Sequence, residues 1–130
     1  MTRTATVILG LLLCLCVGCT RHLTNDHVVG RYYASGEWGK STLVLNPDGT
    51  FVQNVFPANG NEKSTNGKWR MRDDDTRGYT KTIDFEPFIS LLAQQLGESV
   101  PYAGCTVESV GFRGVWIDVD LGRGTMYKKQ

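Results

Sequence analysis

The sequence predicts a mainly β protein: an antiparallel meander of about seven strands forming a small barrel or curled sheet, with one short amphipathic helix. Three observations carry this. Short runs rich in β-branched and aromatic residues recur between turn signals from Val28 onward. Residues 67–72 and 113–119 alternate apolar and polar with period two, as in a strand with one solvated face. Asn46-Pro47-Asp48-Gly49 is a turn with a mechanism, because proline presets φ and Asp-Gly tolerates positive φ.

The elements follow in order. Residues 28–34 form a first strand, residues 35–40 connect it onward, and residues 41–45 form a second. The Pro-Asp-Gly turn returns the chain through residues 50–56, making 41–56 a β-hairpin. Residues 57–66 read as a Gly/Asn-rich loop. In the next strand Trp69 and Met71 face one side, and Lys68, Arg70 and Arg72 face the other. A charged turn spans 73–78, and residues 79–85 alternate again with Ile83 and Phe85 inward. Phe88, Leu91, Leu92 and Leu96 recur at helical spacing between Pro87 and Gly97, which predicts a helix over 87–96. That helix would cover an open end of the sheet, or act as a lid over a ligand cavity through Phe88, Leu91 and Leu92. Residues 105–110, 113–119 and 124–129 complete the meander, with 121–124 as the last hairpin turn. Full closure removes exposed strand edges, which favours a barrel.

The first nineteen residues carry a different signal. Arg3 precedes the apolar run Val7 to Val17, and Val17-Gly18-Cys19 follows. The run is too short to span a bilayer, which takes about 20 residues. A plain secretory signal needs small residues at its end but no cysteine. Val17-Gly18-Cys19 resembles a bacterial lipobox, with Cys16 where leucine is commonest. The resemblance implies a signal peptide at 1–18 and a diacylated, palmitate-type anchor on Cys19, with Cys14 and Cys16 lost on processing. Thr20, in place of aspartate, implies the periplasmic face of an outer membrane. Acyl chains would hold the protein on a membrane without spanning it. Residues 19–27 then form a lipidated tether and 28–130 the domain.

Processing leaves 112 of the 130 residues, with thirteen cationic side chains (14 less Arg3) against 13 carboxylates. That is enough chain for one modest core. The balance gives no basic stripe for nucleic acid. Cys105 would be the only remaining thiol, which excludes an internal disulfide and reads as a small buried apolar residue.

Gly30-Arg31-Tyr32, the run Leu43-Val44-Leu45-Asn46-Pro47-Asp48-Gly49-Thr50-Phe51, Gly67-Lys68-Trp69 and Tyr127-Lys128-Lys129 resemble the pattern of small lipocalin-like bacterial lipoproteins. The resemblance covers most of residues 28–130 and implies a lipocalin-like barrel. Its motifs are structural and bring no catalytic residue.

The residues themselves suggest little chemistry. His22 and His27 lack Cys, Asp or Glu at ligand spacing, so no metal or other cofactor is expected. Asp73-Asp74-Asp75 lacks the spaced ligands and glycine of a calcium loop and reads as a solvated turn. Asp118 and Asp120 would share one face of a regular strand, and paired carboxylates can serve acid–base hydrolysis. The serines lack a nucleophile-elbow setting. Trp38 in a loop and Trp116 opposite the aliphatic face stand out as contact residues, with Asp118 beside Trp116.

The leading expectation is a lipid-anchored, non-catalytic binding module for another envelope protein, as adaptor, inhibitor or immunity factor, using Trp38, Trp116 and Asp118. The second is a carrier of a small apolar ligand. The third is a hydrolase built on Asp118 and Asp120.

Overall fold

The computed structural model describes residues 22–72, 80–111, 114–120 and 125–130. The expected signal peptide, Cys19, and the turns expected at Asp73–Asp75 and 121–124 lie outside the described residues.

Eight antiparallel strands close into one barrel. They are β1 (Gly30–Gly36), β2 (Gly39–Leu45), β3 (Thr50–Pro57), β4 (Lys63–Met71), β5 (Thr80–Glu86), β8 (Ala103–Val110), β9 (Gly114–Asp118) and β10 (Met126–Lys129). β6 (Phe88–Ile89) and β7 (Ser99–Val100) form a separate two-stranded hairpin between β5 and β8. Around the barrel the order is β1-β10-β9-β8-β5-β4-β3-β2, so the first and last strands pair, Tyr32 with Lys129 and Tyr33 with Lys128. This closed antiparallel barrel is compatible with a lipocalin-like fold.

Local chemistry explains the hairpins. In the 46–49 turn the Gly49 N–H donates to Asn46 O at 3.1 Å, and Gly49 sits at φ +85°. The Asp48 carboxylate accepts from the Thr50 N–H at 2.9 Å and from its hydroxyl at 2.6 Å, closing an Asx turn. The expected 35–40 connection tightens to two residues, Glu37 and Trp38, because Gly36 and Gly39 pair across the strands. Gly39 lies at φ +133° against Phe56 O, where a Cβ would come within 2.2 Å.

Alternation selects the interior. Tyr32, Leu43, Leu45, Phe51, Val55, Trp69, Ile83, Phe85, Val107, Ile117 and Tyr127 all point inward and are buried. Phe51 and Phe85 meet edge to face, with ring centroids 5.1 Å apart.

The two ends are sealed differently. At one end a single helical turn, α1 (Asn25–Val28), lies beneath the barrel. Leu23 and Val28 are buried there, Tyr32 donates its hydroxyl proton to Val28 O at 2.5 Å, and Lys129 Nζ donates to His27 O at 2.7 Å. Leu23 and Val28 therefore belong to the folded unit, with Leu23 inside the stretch expected to be a tether. Leu23 to Lys129 carries the strands, the base and the hairpin at the opposite end.

That opposite end corrects the sequence reading. Residues 87–96 do not form a helix. Phe88 and Ile89 are extended and pair with Val100 and Ser99, and turns occupy 93–97. The Glu86–Pro87 peptide is cis. Phe88, Ile89, Ser90 and Leu91 are buried, whereas Leu92 is exposed. The helical spacing of Phe88, Leu91 and Leu96 arises because the strand end and the turn each send apolar side chains into the same core. Gly67 makes room for this segment: a Cβ there would stand 2.1 Å from Glu86 O and 2.8 Å from Pro87 Cδ. Gly67→Ala should therefore cost about 2 kcal/mol or more through overpacking against rigid backbone. An unchanged urea midpoint would contradict that close approach.

Candidate functional site

Two regions could carry function: the barrel mouth and the outer wall around Trp116. The mouth is built around Gln53. Phe51, Gln53 and Val55 share one face of β3, so the Gln53 amide is carried into the core between two apolar residues and is fully buried. An unpaired buried amide would be costly. Gln53 instead uses the backbone of β6: its Oε1 accepts the Ile89 N–H at 2.8 Å, and its Nε2 donates to Ile89 O at 2.9 Å. The side chain thus imitates a neighbouring strand and clamps Ile89 inside the barrel.

The second Nε2 proton goes to the Tyr127 hydroxyl at 3.0 Å. The Tyr127 hydroxyl lies 2.6 Å from Ser41 Oγ, which donates to Asn54 O at 2.8 Å. Ser41 has only one proton, so Tyr127 is the donor to Ser41. The chain therefore runs in one direction, from Gln53 through Tyr127 and Ser41 to the β3 backbone. Burial pushes the Tyr127 phenol well above its ordinary range, although the Ser41 and Gln53 bonds oppose this. It stays a neutral donor. Among the described residues no buried side-chain N or O atom lacks a partner.

The network fixes the residues expected as a lid. Phe88 stacks on Phe85 with centroids 5.0 Å apart. Phe88 and Leu91 are part of the core cluster, and Leu92 faces solvent. The Ser90 N–H donates to Glu98 O at 2.9 Å, and Lys63 Nζ donates to Gly97 O at 3.0 Å, tying the outer turn to β4. Residues 88–91 act as a plug held from inside.

The outer wall places the other expected residues. Trp116 points outward from β9 and is half-buried, with Lys128 Nζ 4.6 Å from its ring centroid. Tyr33, Ser35, Trp116, Met126 and Lys128 line a cleft of about 250 Å³. Trp38 is placed elsewhere. It sits in the β1–β2 turn, packs against the core, and accepts the Ala58 N–H at its carbonyl at 2.8 Å. β9 ends at Asp118, whose Oδ1 accepts the Asp120 N–H at 2.9 Å. The regular strand that would align Asp118 and Asp120 as a pair therefore stops at the first of them.

A third cluster was missed in the sequence. Asp84 points outward from β5 yet is buried. The Arg72 Nε donates to Asp84 Oδ2 at 2.8 Å, Arg70 lies 3.8 Å away, and Tyr102 donates its hydroxyl proton to Oδ1. Burial pushes the Asp84 carboxyl up, but Arg72, the Tyr102 hydroxyl and the charge of Arg70 outweigh it and hold the carboxyl below its ordinary value. Alternation alone hides this cluster, because Tyr102 arrives from beyond the β6–β7 hairpin. Cys105 is a buried free thiol, pushed up to about 12 by burial, with Asp118 and Asp84 adding to the shift. It is a packing residue at neutral pH.

Comparison with family models, curated proteins and solved structures finds no match to this chain.

Two outcomes follow. Gln53→Leu leaves the Ile89 N–H and C=O and the Tyr127 hydroxyl short of partners, and should cost on the order of 3 kcal/mol in chemical denaturation. A loss below the scatter of the measurement would contradict the clamp. The folded pKa of Asp84 lies below its unfolded value, so its contribution is present above the ordinary carboxylate range and is lost as pH falls through the folded value. Asp84→Asn should flatten the acid limb of the stability–pH curve, and an unchanged limb would remove Asp84 from the account.

Proposed function

We propose that this chain is a lipid-anchored envelope protein that acts as a non-catalytic binding module for another envelope protein. The single observation that supports this best is the filled mouth. Gln53 holds the protein's own residues 88–91 where a barrel carrier would hold its ligand. An eight-stranded barrel leaves an interior only just wide enough for side chains or one small ligand, so the plug and a cargo compete for the same volume. Recognition then falls to the exterior.

On that exterior the reading places the contact on β8 and β9. Trp116 pairs with Glu108 across the strands, and Asp118 pairs with Thr106. A half-exposed tryptophan with adjoining carboxylates and a cation on its ring has the composition of an interface anchor. The anchor reading rests on the lipobox resemblance at Cys19, and places the module on the periplasmic face of an outer membrane. Adaptor, inhibitor and immunity roles all share this requirement for an external contact face.

The test is photo-cross-linking in the bacterial envelope, with a photoreactive residue at Thr106 of the full lipoprotein. The expected result is one discrete protein adduct that falls about thirty-fold in Trp116→Ala, the loss typical of a central anchor residue, while the melting midpoint is retained. An adduct unaffected by Trp116→Ala overturns this face as the contact.

A further inference from the structure

The outward strand positions of the barrel are divided by charge, while the turns joining β1 to β4 carry the exposed carboxylates Glu37, Asp48 and Glu62. On β10, β1, β2, β3 and β4 the outward positions carry Arg31, Lys40, Lys68, Arg70 and Lys128. Among the described residues, none of the outward positions on these five adjacent strands is Asp or Glu. The outward carboxylates of the strands gather on the other side, as Asp84 and Glu86 on β5, Glu108 on β8 and Asp118 on β9. The whole chain is nearly neutral, at +1, so this is a separation of charge and not an excess.

Three of the five exposed large apolar side chains among the described residues lie on the basic side; Tyr102, beside Asp84, and Leu92 lie elsewhere. On the basic side Tyr33, Val52 and Phe56 are 36%, 37% and 40% exposed, and Val44 is half-buried between Arg31 and Val52 in the strand register. Water thus meets a wall in which tyrosine, phenylalanine and valine alternate with long cationic stems. Such stems lie along apolar surface while their heads reach polar groups. Aromatic and aliphatic contact combined with Lys and Arg is the composition that binds the headgroup layer of an anionic bilayer.

The N-terminal segment says what stands next to this wall. Leu23 is buried in the base of the barrel, four residues after Cys19. Four extended residues reach at most about 14 Å. An acyl chain on Cys19 therefore holds the base within roughly one to two Debye lengths of the headgroups at physiological salt. The exit point lies beside β10, because Lys129 binds the α1 backbone. β10 borders the basic wall.

We propose that the face centred on β2 and β3, flanked by β1 and β4, docks on an anionic phospholipid surface. Arg31, Lys40 and Lys68 take headgroup phosphates, and Val52 and Phe56 enter the interface. The proposal rests on the lipid-anchor reading only for the tether; the wall itself is a property of the fold. Docked this way, the barrel turns Trp116, Glu108 and Asp118 away from the bilayer, where a protein partner can reach them.

The experiment uses the chain from Thr20 onward, which keeps the strands, base and plug but has no lipid. Partition is measured on vesicles of equal parts phosphatidylglycerol and phosphatidylcholine, and on phosphatidylcholine alone. The expected result is binding to the anionic vesicles that weakens with salt and is not seen on neutral ones. Lys40→Gln with Lys68→Gln should lower that binding about thirty-fold, since each basic residue contributes about fivefold. Phe56→Ser should lower it independently of salt, and Thr106→Ala on the far side should leave it unchanged. Equal binding to both vesicle types, or no loss in the double variant, overturns the docking wall. Binding to a poly-glutamate peptide without binding to anionic vesicles also overturns it, and reassigns the wall to an acidic protein. The mass of the mature N-terminal residue separates the two readings: an unacylated Cys19 removes the anchor and leaves the vesicle result standing.

Discussion

The structure depends on how one buried amide is satisfied. Gln53 enters the barrel because strand periodicity leaves β3 no choice, and Phe51 and Val55 on either side are core. Its donors and acceptor must find partners in a volume from which water is excluded. The Ile89 backbone supplies two of them, and Tyr127 supplies the third. The same bonds hold a segment with few ladder hydrogen bonds of its own, since β6 and β7 are two residues each. A polar group that would destabilise an empty barrel thereby gives this one a defined plug. Tyr127 extends the arrangement to Ser41, so β2, β3, β6 and β10 meet through one directional chain of hydrogen bonds.

Filling the mouth moves the question of function to the surface. The interior has spent its polar groups on the protein's own backbone, and Cys105, the one described thiol, is buried and protonated. Outside, the strand faces divide by charge, and exposed aromatic side chains lie on both sides. Asp84 shows how firmly the acidic side is organised: Arg72 and Tyr102 enclose it at the boundary with β4. On the proposed lipid anchor, such a barrel would meet a bilayer with one side and a partner with the other.

Much of the fold was legible in the sequence where it depends on neighbours in the chain. The 41–56 hairpin was readable because Pro47, Asp48 and Gly49 encode their own turn. Trp69, Met71, Ile83 and Phe85 were readable because alternation fixes a face. Barrel closure was inferred only from the need to remove edges; the pairing of Tyr32 with Lys129 spans nearly the whole domain and has no local signal. The helix expected over 87–96 failed for a specific reason. Apolar spacing reports which side chains are buried, and the burial of Phe88 and Leu91 was real. Their partners were the barrel interior and Gln53, which override local helical preference. Of the site residues, Trp116 was legible as an outward aromatic. Trp38 was legible as a loop residue, but its packing against the core, set by a two-residue turn, was not. Gln53 could have been found from its phase with Phe51 and Val55, since a polar residue in register with core positions demands a partner. The Arg72–Asp84–Tyr102 cluster had no such signal, because three separate segments build it.

The most direct test of the plug is the hydrogen-exchange rate of the Ile89 amide, read by NMR in the full domain. The amide lies at the end of a two-residue strand, and only the Gln53 side chain and its burial protect it. Exchange as slow as that of core strand amides such as Ile117 is the result this account predicts. Exchange at the rate of the exposed turn around Gln94 would show an open mouth, and would return the barrel interior to the list of ligand sites.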